Sequence, residues 1–479
     1  MGNPTDGRTA GEDSVPESQR LATSQVARSE RAKTARPPSI PKFTLFILCN
    51  ILVANLAIWA GDRLLAKNSA NPQAYRGLAS TSLVLTWRQG NDSLGVMLPL
   101  IRAFERDSKV PIYESVFFEQ HAKFQYPLTS LLPLYGLVRL GTSDSAISRL
   151  FKGITLLGAG LTIFLCFRLA LRLLGRNGQQ VIRTHDKWIL AATFTVGALF
   201  YYPLMSSLSL GQIQALLTLG FTVAFLCWIS GREVAASVVI GLMTAVKPQY
   251  GLFFVWALAR RKFGAAAAGI GCLGVFGALS VAVFGWHNNI EYLQVLRYIA
   301  PRGEGYFENQ SMNGVLNRLL FNGNNMIWDG NHFAPRNSIV YLGTTITSAL
   351  LLALAFFYPW GKDRRGGATD FACMILTSTM ASPIAWVHHY AILLPILVWL
   401  WFGDVNYRTS KWATGAIAVA YILMSDRFTT ADALAPVPFW NLLQSTFYFA
   451  AILVLILLLK SHSEAAESRL SPALPKTAP

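Results

Sequence analysis

Long apolar runs recur along the chain and constrain its fold more than any other feature. The first run, residues 43–60, reads FTLFILCNILVANLAIWA and contains no charged residue. A bilayer core about 30 Å thick takes about 20 such residues per helix. Hydrophobic residues make up 53% of the chain and charged residues only 14%, unlike an ordinary soluble domain. The sequence therefore predicts an all-α polytopic integral membrane protein.

The strong positive charge does not indicate a nucleic-acid partner. The formal net charge is +16, but the Lys and Arg residues lie in short clusters between apolar runs, where they act as topology signals. The cysteines all fall inside apolar segments without chelating spacing. They are Cys49, Cys166, Cys227, Cys272 and Cys373. We therefore expect neither nucleic-acid binding nor a metal site.

About twelve segments are candidate membrane spans, and several are shorter than a full crossing. They are 43–60, 151–171, 188–205, 209–229, 234–246, 249–259, 263–284, 337–359, 369–381, 386–403, 411–424 and 438–460. A further apolar run, 127–140, decides the topology. If this run is re-entrant or lies on the surface, every short basic cluster falls on one side, which the positive-inside rule makes the cytoplasm. We prefer this interpretation to a thirteenth crossing.

This topology divides the chain into three parts. Residues 1–42 and 461–479 are polar and are predicted to be disordered cytoplasmic tails, while residues 43–460 form the transmembrane domain. Two large segments of that domain, 61–150 and 285–336, lie outside the cell membrane. The first contains a predicted interfacial helix that begins near Asp92.

Polar residues at the ends of apolar runs all fall on the outer side in this topology. They are Asp92, Gln212, Lys247, Gln249, Asn309, Gln310, Asn313, His388 and His389. Polar and ionisable groups at membrane depth are costly and usually face a cavity or a pathway. These residues therefore predict one site on the outer face.

Several of these residues also allow a purely structural explanation. Lys247 precedes Pro248, which breaks a helix, so the lysine is either a snorkelling residue at a kink or a phosphate-binding cation. Asp92 precedes the interfacial helix and is either its N-cap or a functional carboxylate. Gln212 either makes a helix–helix contact or belongs to the site.

His388 and His389 stand side by side before an apolar run. Adjacent residues of an α-helix point about 100° apart, so we expect one histidine to face the site and the other to pack. Adjacent positions are also poor chelating spacing, which argues against a metal between them.

Four motifs occur in order along the chain. They are Gly211-Gln-Ile-Gln, Ala245-Val-Lys-Pro-Gln, Asn309-Gln-Ser-Met-Asn-Gly and Ser382-Pro-Ile-Ala-Trp-Val-His-His. With these motifs the sequence resembles glycosyltransferase family 87, whose members are membrane-embedded, mannosyltransferase-like enzymes of the GT-C fold. The resemblance extends from about residue 85 to about residue 405.

The resemblance implies a GT-C-like fold and an inverting enzyme. Such an enzyme moves a hexosyl group, typically mannosyl, from a polyprenyl-phosphate carrier to a lipid-linked or glycan acceptor on the outer face, without a cofactor. It also implies that Asp92, in the first external segment, is the catalytic base. Lys247 and one histidine would hold the donor phosphate, and Asn309, Gln310 and Asn313 would bind sugar or acceptor hydroxyls.

The sequence departs from the family pattern at four places. The residues after Asp92, Ser-Leu-Gly-Val, lack the aromatic residue that the family pattern leads us to expect. Leu128 replaces the second proline of a Phe-x-Tyr-Pro-Pro stretch, Gln214 replaces an asparagine, and Ala385 replaces a serine before the tryptophan. Because of these differences, the resemblance does not determine which sugar is transferred or which acceptor receives it.

A transporter or lipid-glycan flippase is the alternative function, because it could use the same polar groups as a pathway. Transporters commonly have broken helices in matching halves of the chain, whereas the break at Lys247-Pro248 has no obvious counterpart. The long external segments also suit an enzyme better. We therefore expect a glycosyltransferase.

Overall fold

The structure is a computed structural model that describes residues 39–65, 90–108, 110–176, 182–360, 365–403, 410–428 and 430–461. The two predicted tails therefore lie almost entirely outside the described residues. Within the described ranges the secondary structure is helical, and the one β contact is an isolated antiparallel bridge between Asn309 and Trp386.

The helices are named here in chain order. They are α1 (Ile40–Leu65), α2 (Asp92–Arg106), α3 (Leu132–Arg139), α4 (Asp144–Arg176), α5 (Thr184–Leu199), α6 (Tyr202–Ser209), α7 (Gln214–Ile229), α8 (Glu233–Thr244), α9 (Leu252–Ala259), α10 (Phe263–Phe284), α11 (Trp286–Ile299), α12 (Met312–Leu319), α13 (Ser338–Phe357), α14 (Ala368–Met380), α15 (Leu393–Gly403), α16 (Lys411–Ser425), α17 (Thr430–Ala433) and α18 (Thr446–Lys460). Short 3₁₀ segments occupy Leu128–Leu131, Pro248–Gly251, Val387–Ile392 and Trp440–Ser445, and a π-helical segment occupies Glu114–Glu119.

Five described helical segments are long and apolar enough to cross a membrane. They lie in α1, α4, α10, α13, and α18 together with the 3₁₀ segment before it. The bent pair α5 and α6 gives a sixth if it is counted as one span. Shorter apolar helices account for other predicted spans, among them α7, α8 and α16. The predicted total of twelve therefore stays a prediction.

The predicted continuous span 188–205 is broken in the structure. Helix α5 ends at Leu199 and α6 begins at Tyr202, with an angle of 64° between them. Pro203 lies in the first turn of α6, where its missing N–H costs nothing, whereas in the interior of one long helix it would remove a hydrogen bond.

The apolar run 127–140 forms only short helical pieces. A four-residue 3₁₀ segment is followed by α3, which has eight residues. Eight residues of α-helix rise only about 12 Å, whereas the bilayer core is about 30 Å thick. This run therefore cannot cross as a helix, which agrees with the re-entrant or surface interpretation.

Buried apolar residues form two clusters. The larger joins the apolar helices, and the smaller joins α2, α3 and α11. Helix α2 turns Leu94, Met97, Ile101 and Phe104 into the smaller cluster, at the three- to four-residue spacing of one helix face. Ile384 belongs to the smaller cluster, whereas the next residue belongs to the larger one. The segment before the two histidines therefore runs along the boundary between the clusters.

A buried ion pair connects α9 to α14. Arg260 Nε donates to Asp370 Oδ2 at 2.6 Å, and the arginine also donates to the carbonyl oxygens of Ala355 and Phe356. Trp256 Nε1 donates to the same carboxylate at 3.0 Å. Although Arg260 belongs to a short basic cluster in the sequence, its side chain is only 2% exposed. It contributes to packing and is not a solvated topology signal.

Candidate active site

The Gly211-Gln-Ile-Gln turn between α6 and α7 positions the start of α2. Gly90 N donates to Ser209 O at 2.8 Å, and Asp92 N donates to Leu210 O at 2.9 Å. Gly211 has φ +66, and a Cβ atom on it would lie 2.1 Å from the carbonyl oxygen of Gly90. Only glycine fits this close approach. The approach brings the side chain of Asp92 beside the turn.

Asp92 is held by the first glutamine of this turn. Gln212 Nε2 donates to Asp92 Oδ2. Ser93 Oγ and Tyr126 OH both donate to Gln212 Oε1, at 3.1 and 3.3 Å. Because two hydroxyl donors occupy the amide oxygen, the NH₂ group is directed at the carboxylate. The N-cap position of α2 is occupied by Asn91, so the N-cap alternative for Asp92 is wrong.

The surroundings of Asp92 suit a base. Its side chain is accessible from solvent, as an acceptor hydroxyl requires. Desolvation by nearby protein atoms raises the pKa of Asp92, and the hydrogen bond from Gln212 partly opposes that shift. A carboxylate with a raised pKa accepts a proton more readily.

Lys247 lies in a helix break, as the sequence predicts. Helix α8 ends at Thr244 and the next 3₁₀ segment begins at Pro248. The lysine is only 7% exposed. Its Nζ donates to Gln214 Oε1 at 2.8 Å and contacts His389 Nε2. Among the described residues no carboxylate forms an ion pair with it. A buried amine without a counter-ion is charged only at a cost, which a bound anion would offset.

Several buried polar atoms around Lys247 have no hydrogen-bond partner in the described part of the chain. They are both ring nitrogens of His388, His389 Nδ1, Gln214 Nε2 and Gln249 Nε2. Buried polar groups are nearly always paired, so these unpaired atoms are groups that a bound polar ligand would satisfy.

The two histidines lie in a 3₁₀ segment, not in the α-helix expected from the apolar run. Their ring centroids are 4.9 Å apart with an interplanar angle of 82°, and both side chains are buried. His389 is the one that contacts Lys247.

The amides of the third motif contact the backbone. Asn309 Oδ1 accepts from Ala385 N at 3.0 Å, and Gln310 Nε2 donates to Gln444 O at 2.7 Å. Asn313 Oδ1, in the first turn of α12, accepts from Glu304 N in the preceding loop at 3.1 Å. The Asn309 contact holds the loop against the segment before the histidines, and the Gln310 contact holds it against the 3₁₀ segment before α18. A direct contact of these amides with sugar or acceptor stays a prediction.

Sequence reasoning missed Glu308. Its backbone oxygen accepts from Val387 N at 3.0 Å, and its side chain is half-buried. Desolvation raises the pKa of Glu308 to about 7, Arg427 lowers it and Asp92 raises it. This carboxyl is therefore within electrostatic reach of both Asp92 and Arg427. Its place directly before the Asn309 motif was the available signal.

Comparison with known proteins gives the family. The model of glycosyltransferase family 87 matches residues 124–383, more than half of the chain. The chain belongs to glycosyltransferase family 87. Three of the four motifs lie inside the matched range, whereas Asp92 lies outside it. Membership of family 87 makes the protein a multi-pass membrane glycosyltransferase and sets aside the transporter alternative.

Curated relatives of this family-87 chain are mycobacterial. A polyprenol-phosphate-mannose-dependent alpha-(1-2)-phosphatidylinositol pentamannoside mannosyltransferase of Mycolicibacterium smegmatis is 26% identical over 314 residues, 63% of this chain and 67% of the relative. A polyprenol-phosphate-mannose-dependent alpha-(1-2)-phosphatidylinositol mannoside mannosyltransferase of Mycobacterium tuberculosis is 24% identical over 256 residues, 53% of this chain and 55% of the relative. The chain thus spans about half to two thirds of these relatives. No solved structure matches it.

Proposed function

We propose that this enzyme transfers a mannosyl group from a polyprenyl-phosphate mannose to a hydroxyl of a lipid-linked or glycan acceptor. Transfer takes place on the outer face of the membrane, inverts the anomeric centre and uses Asp92 as the base. The relatives are named as polyprenol-phosphate-mannose-dependent mannosyltransferases, which supports this donor.

One observation carries the proposal. Two glutamines of a single turn hold the two charged groups that the reaction needs: Gln212 donates to Asp92, and Gln214 accepts from Lys247. Because these glutamines are two positions apart, the turn brings the carboxylate and the cation near one another. A general base and a phosphate-binding cation then have a fixed relative position.

The proposed reaction is a single displacement. Asp92 takes the proton from the acceptor hydroxyl while that oxygen attacks C1 of the mannosyl group. The C1–O bond to phosphate breaks, and the electron pair leaves with the lipid phosphate. Lys247 and His389 stabilise this departing charge. A phosphate is a good leaving group, so no second carboxylic acid is required.

A donor panel tests this function. Membranes that contain the protein are supplied with labelled polyprenyl-phosphate mannose, polyprenyl-phosphate glucose or a nucleotide-linked mannose. We expect transfer from the first donor and at least about tenfold less from the others. Lys247→Met should raise the donor KM at least about tenfold, because a desolvated charge contact to phosphate is worth about 1.4 kcal/mol or more. Transfer from the nucleotide sugar alone would contradict the proposal.

A further inference from the structure

Helix α11 exposes an apolar face and buries polar residues, the reverse of an amphipathic helix on a soluble protein. The exposed apolar residues are Trp286, Ile290, Leu293 and Leu296, with exposed fractions of 68%, 42%, 48% and 42%. The first three are spaced by four and three residues and therefore share one face of the helix. Asn288 and Glu291, on the other side, are buried. A continuous exposed face of this kind indicates an apolar surrounding.

The position of this face is set by α10, which ends directly before it. Helix α10 is long and apolar enough to cross a membrane. Its 22 residues rise about 33 Å, close to the thickness of a bilayer core, about 30 Å. Only Gly285 separates its last residue, Phe284, from Trp286. Helix α11 therefore begins where the span ends, at the boundary between lipid and water.

The chain bends sharply between these two helices. Gly285 has φ +80 and ψ 158, which are not helical values. Ser280 Oγ donates to Asn289 Oδ1 at 2.7 Å, and Asn289 Nδ2 donates to the backbone oxygens of Ser280 and Gly285. Residues nine positions apart would be separated by about 14 Å along one straight helix, too far for these side chains to meet. Helix α11 therefore turns aside at the end of the span and does not leave the membrane in line with it.

The buried face of α11 holds the chain segment that leads to the candidate active site. Asn288 Oδ1 accepts from Ile112 N at 2.9 Å, and Tyr292 OH donates to Gln125 O at 3.1 Å. The residue after Gln125 is the tyrosine whose hydroxyl donates to Gln212 Oε1 at 3.3 Å. The depth of α11 in the membrane therefore also sets the depth of this part of the site.

We propose that α11 lies along the lipid–water boundary with Trp286, Ile290 and Leu293 in lipid, and so anchors the adjacent part of the candidate active site at the membrane surface. Tryptophan is enriched at this boundary, and amphipathic helices bind it by burying one apolar face. Arg297 is exposed at the end of the same face, where its long side chain can reach lipid phosphates. Lipid contact does not depend on the proposed function and can be measured without a substrate.

The test is electron paramagnetic resonance of the full chain in nanodiscs of phosphatidylcholine and phosphatidylglycerol. One cysteine at a time carries a nitroxide label, in a background without the native cysteines. Collisions of the label are measured with oxygen, which concentrates in lipid, and with a water-soluble nickel chelate. The ratio of oxygen to nickel accessibility at Ile290→Cys and Leu293→Cys should exceed that of a water-exposed label at least about tenfold, because hydrocarbon excludes the polar chelate.

Reference positions for both environments are available in the same chain. Val275→Cys, at a residue of α10 that is 59% exposed, gives the lipid value. Asn331→Cys, at an exposed residue of the loop before α13, gives the water value. Gln294→Cys, at an exposed residue on the polar edge of α11, should lie nearer the water value. All of these side chains are exposed, so the labels should leave the fold intact.

A water-like ratio at Ile290→Cys or Leu293→Cys would overturn the proposal. Low accessibility to both reagents would also overturn it, because protein would then cover the face, and cross-linking of Leu293→Cys between two chains would identify a second copy as the cover. A lipid-like ratio at Gln294→Cys as well would contradict the boundary position, since the whole helix would then be immersed. If the donor panel shows no transfer, the proposed function fails and the lipid contact of α11 stands.

Discussion

Asp92 and Glu308 are two carboxyl residues of one site with different partners. Desolvation raises the pKa of Asp92, and the hydrogen bond from Gln212, which favours the ionised form, partly opposes that rise. Glu308 has Arg427 as its favourable charge and Asp92 as an unfavourable one, and desolvation dominates. The difference favours Asp92 as the ionised base and leaves Glu308 protonated over part of the neutral range.

Glu308 should make stability depend on pH. Its pKa rises from 4.5 to about 7 on folding, so the folded protein holds this proton more tightly than the unfolded chain. The resulting stabilisation is present in full below about pH 4.5 and is lost as the pH rises through about 7, to a limit of about 3 kcal/mol.

We therefore compare the melting temperature of Glu308→Gln with that of wild type at two pH values. The variant should gain more at pH 8, where wild-type Glu308 is ionised, than at pH 5. Thermal unfolding in nanodiscs at both pH values measures this difference. Glu119→Gln, at an exposed carboxylate, is the control and should show no such dependence. An equal effect of Glu308→Gln at both pH values would contradict the assignment.

At the scale of elements, the turn before α7 and the start of α2 act as one unit. Gly211→Ala adds a Cβ atom 2.1 Å from the Gly90 carbonyl oxygen, so residues 90–92 must move away. Misplacement of a catalytic group by about 1 Å can cost about 10²-fold in rate. We expect Gly211→Ala to lower the transfer rate by about that factor.

Gly231→Ala is the control that separates misplacement of Asp92 from the strain of an alanine at positive φ. Gly231 also has positive φ, +75, but a Cβ atom there meets nothing within 4 Å. Gly231→Ala should therefore cost only the strain of a positive φ, about 1 kcal/mol, whereas Gly211→Ala adds the clash with the Gly90 carbonyl oxygen and should cost more. Only Gly211→Ala should lose activity. Equal transfer rates of the two variants would show that the approach of Gly90 does not position Asp92.

At the scale of the whole molecule, the sequence predicted the helical class and the position of the break at Lys247, because Pro248 forbids a continuous helix. It could not predict which groups meet Lys247, since Gln214 and His389 lie 33 and 142 positions away. Nor could it separate amides that bind ligands from amides that bind backbone. An asparagine at position 309 looks the same in the sequence whether its amide binds a ligand or the backbone. Only the fold shows that the Ala385 N–H donates to it.

The proposed topology predicts which exposed residues face outward. Ile327 is 67% exposed in the second external segment, and Arg232 is exposed in a short basic loop. In a background without the native cysteines, a membrane-impermeant maleimide on intact cells should label Ile327→Cys and spare Arg232→Cys, which reacts only after lysis. Labelling of Arg232→Cys but not Ile327→Cys on intact cells would show that the orientation in the membrane is the opposite of the proposed one.

The role of Asp92 is tested most directly by the initial rate of mannosyl transfer from polyprenyl-phosphate mannose by the purified Asp92→Asn variant. Asparagine keeps the size of the side chain but cannot take the acceptor proton, so the rate should fall by about 10²- to 10⁴-fold, with the donor Kd unchanged. Asp107→Asn, at the other end of α2, should transfer like wild type. A rate for Asp92→Asn within about threefold of wild type would contradict its assignment as the base.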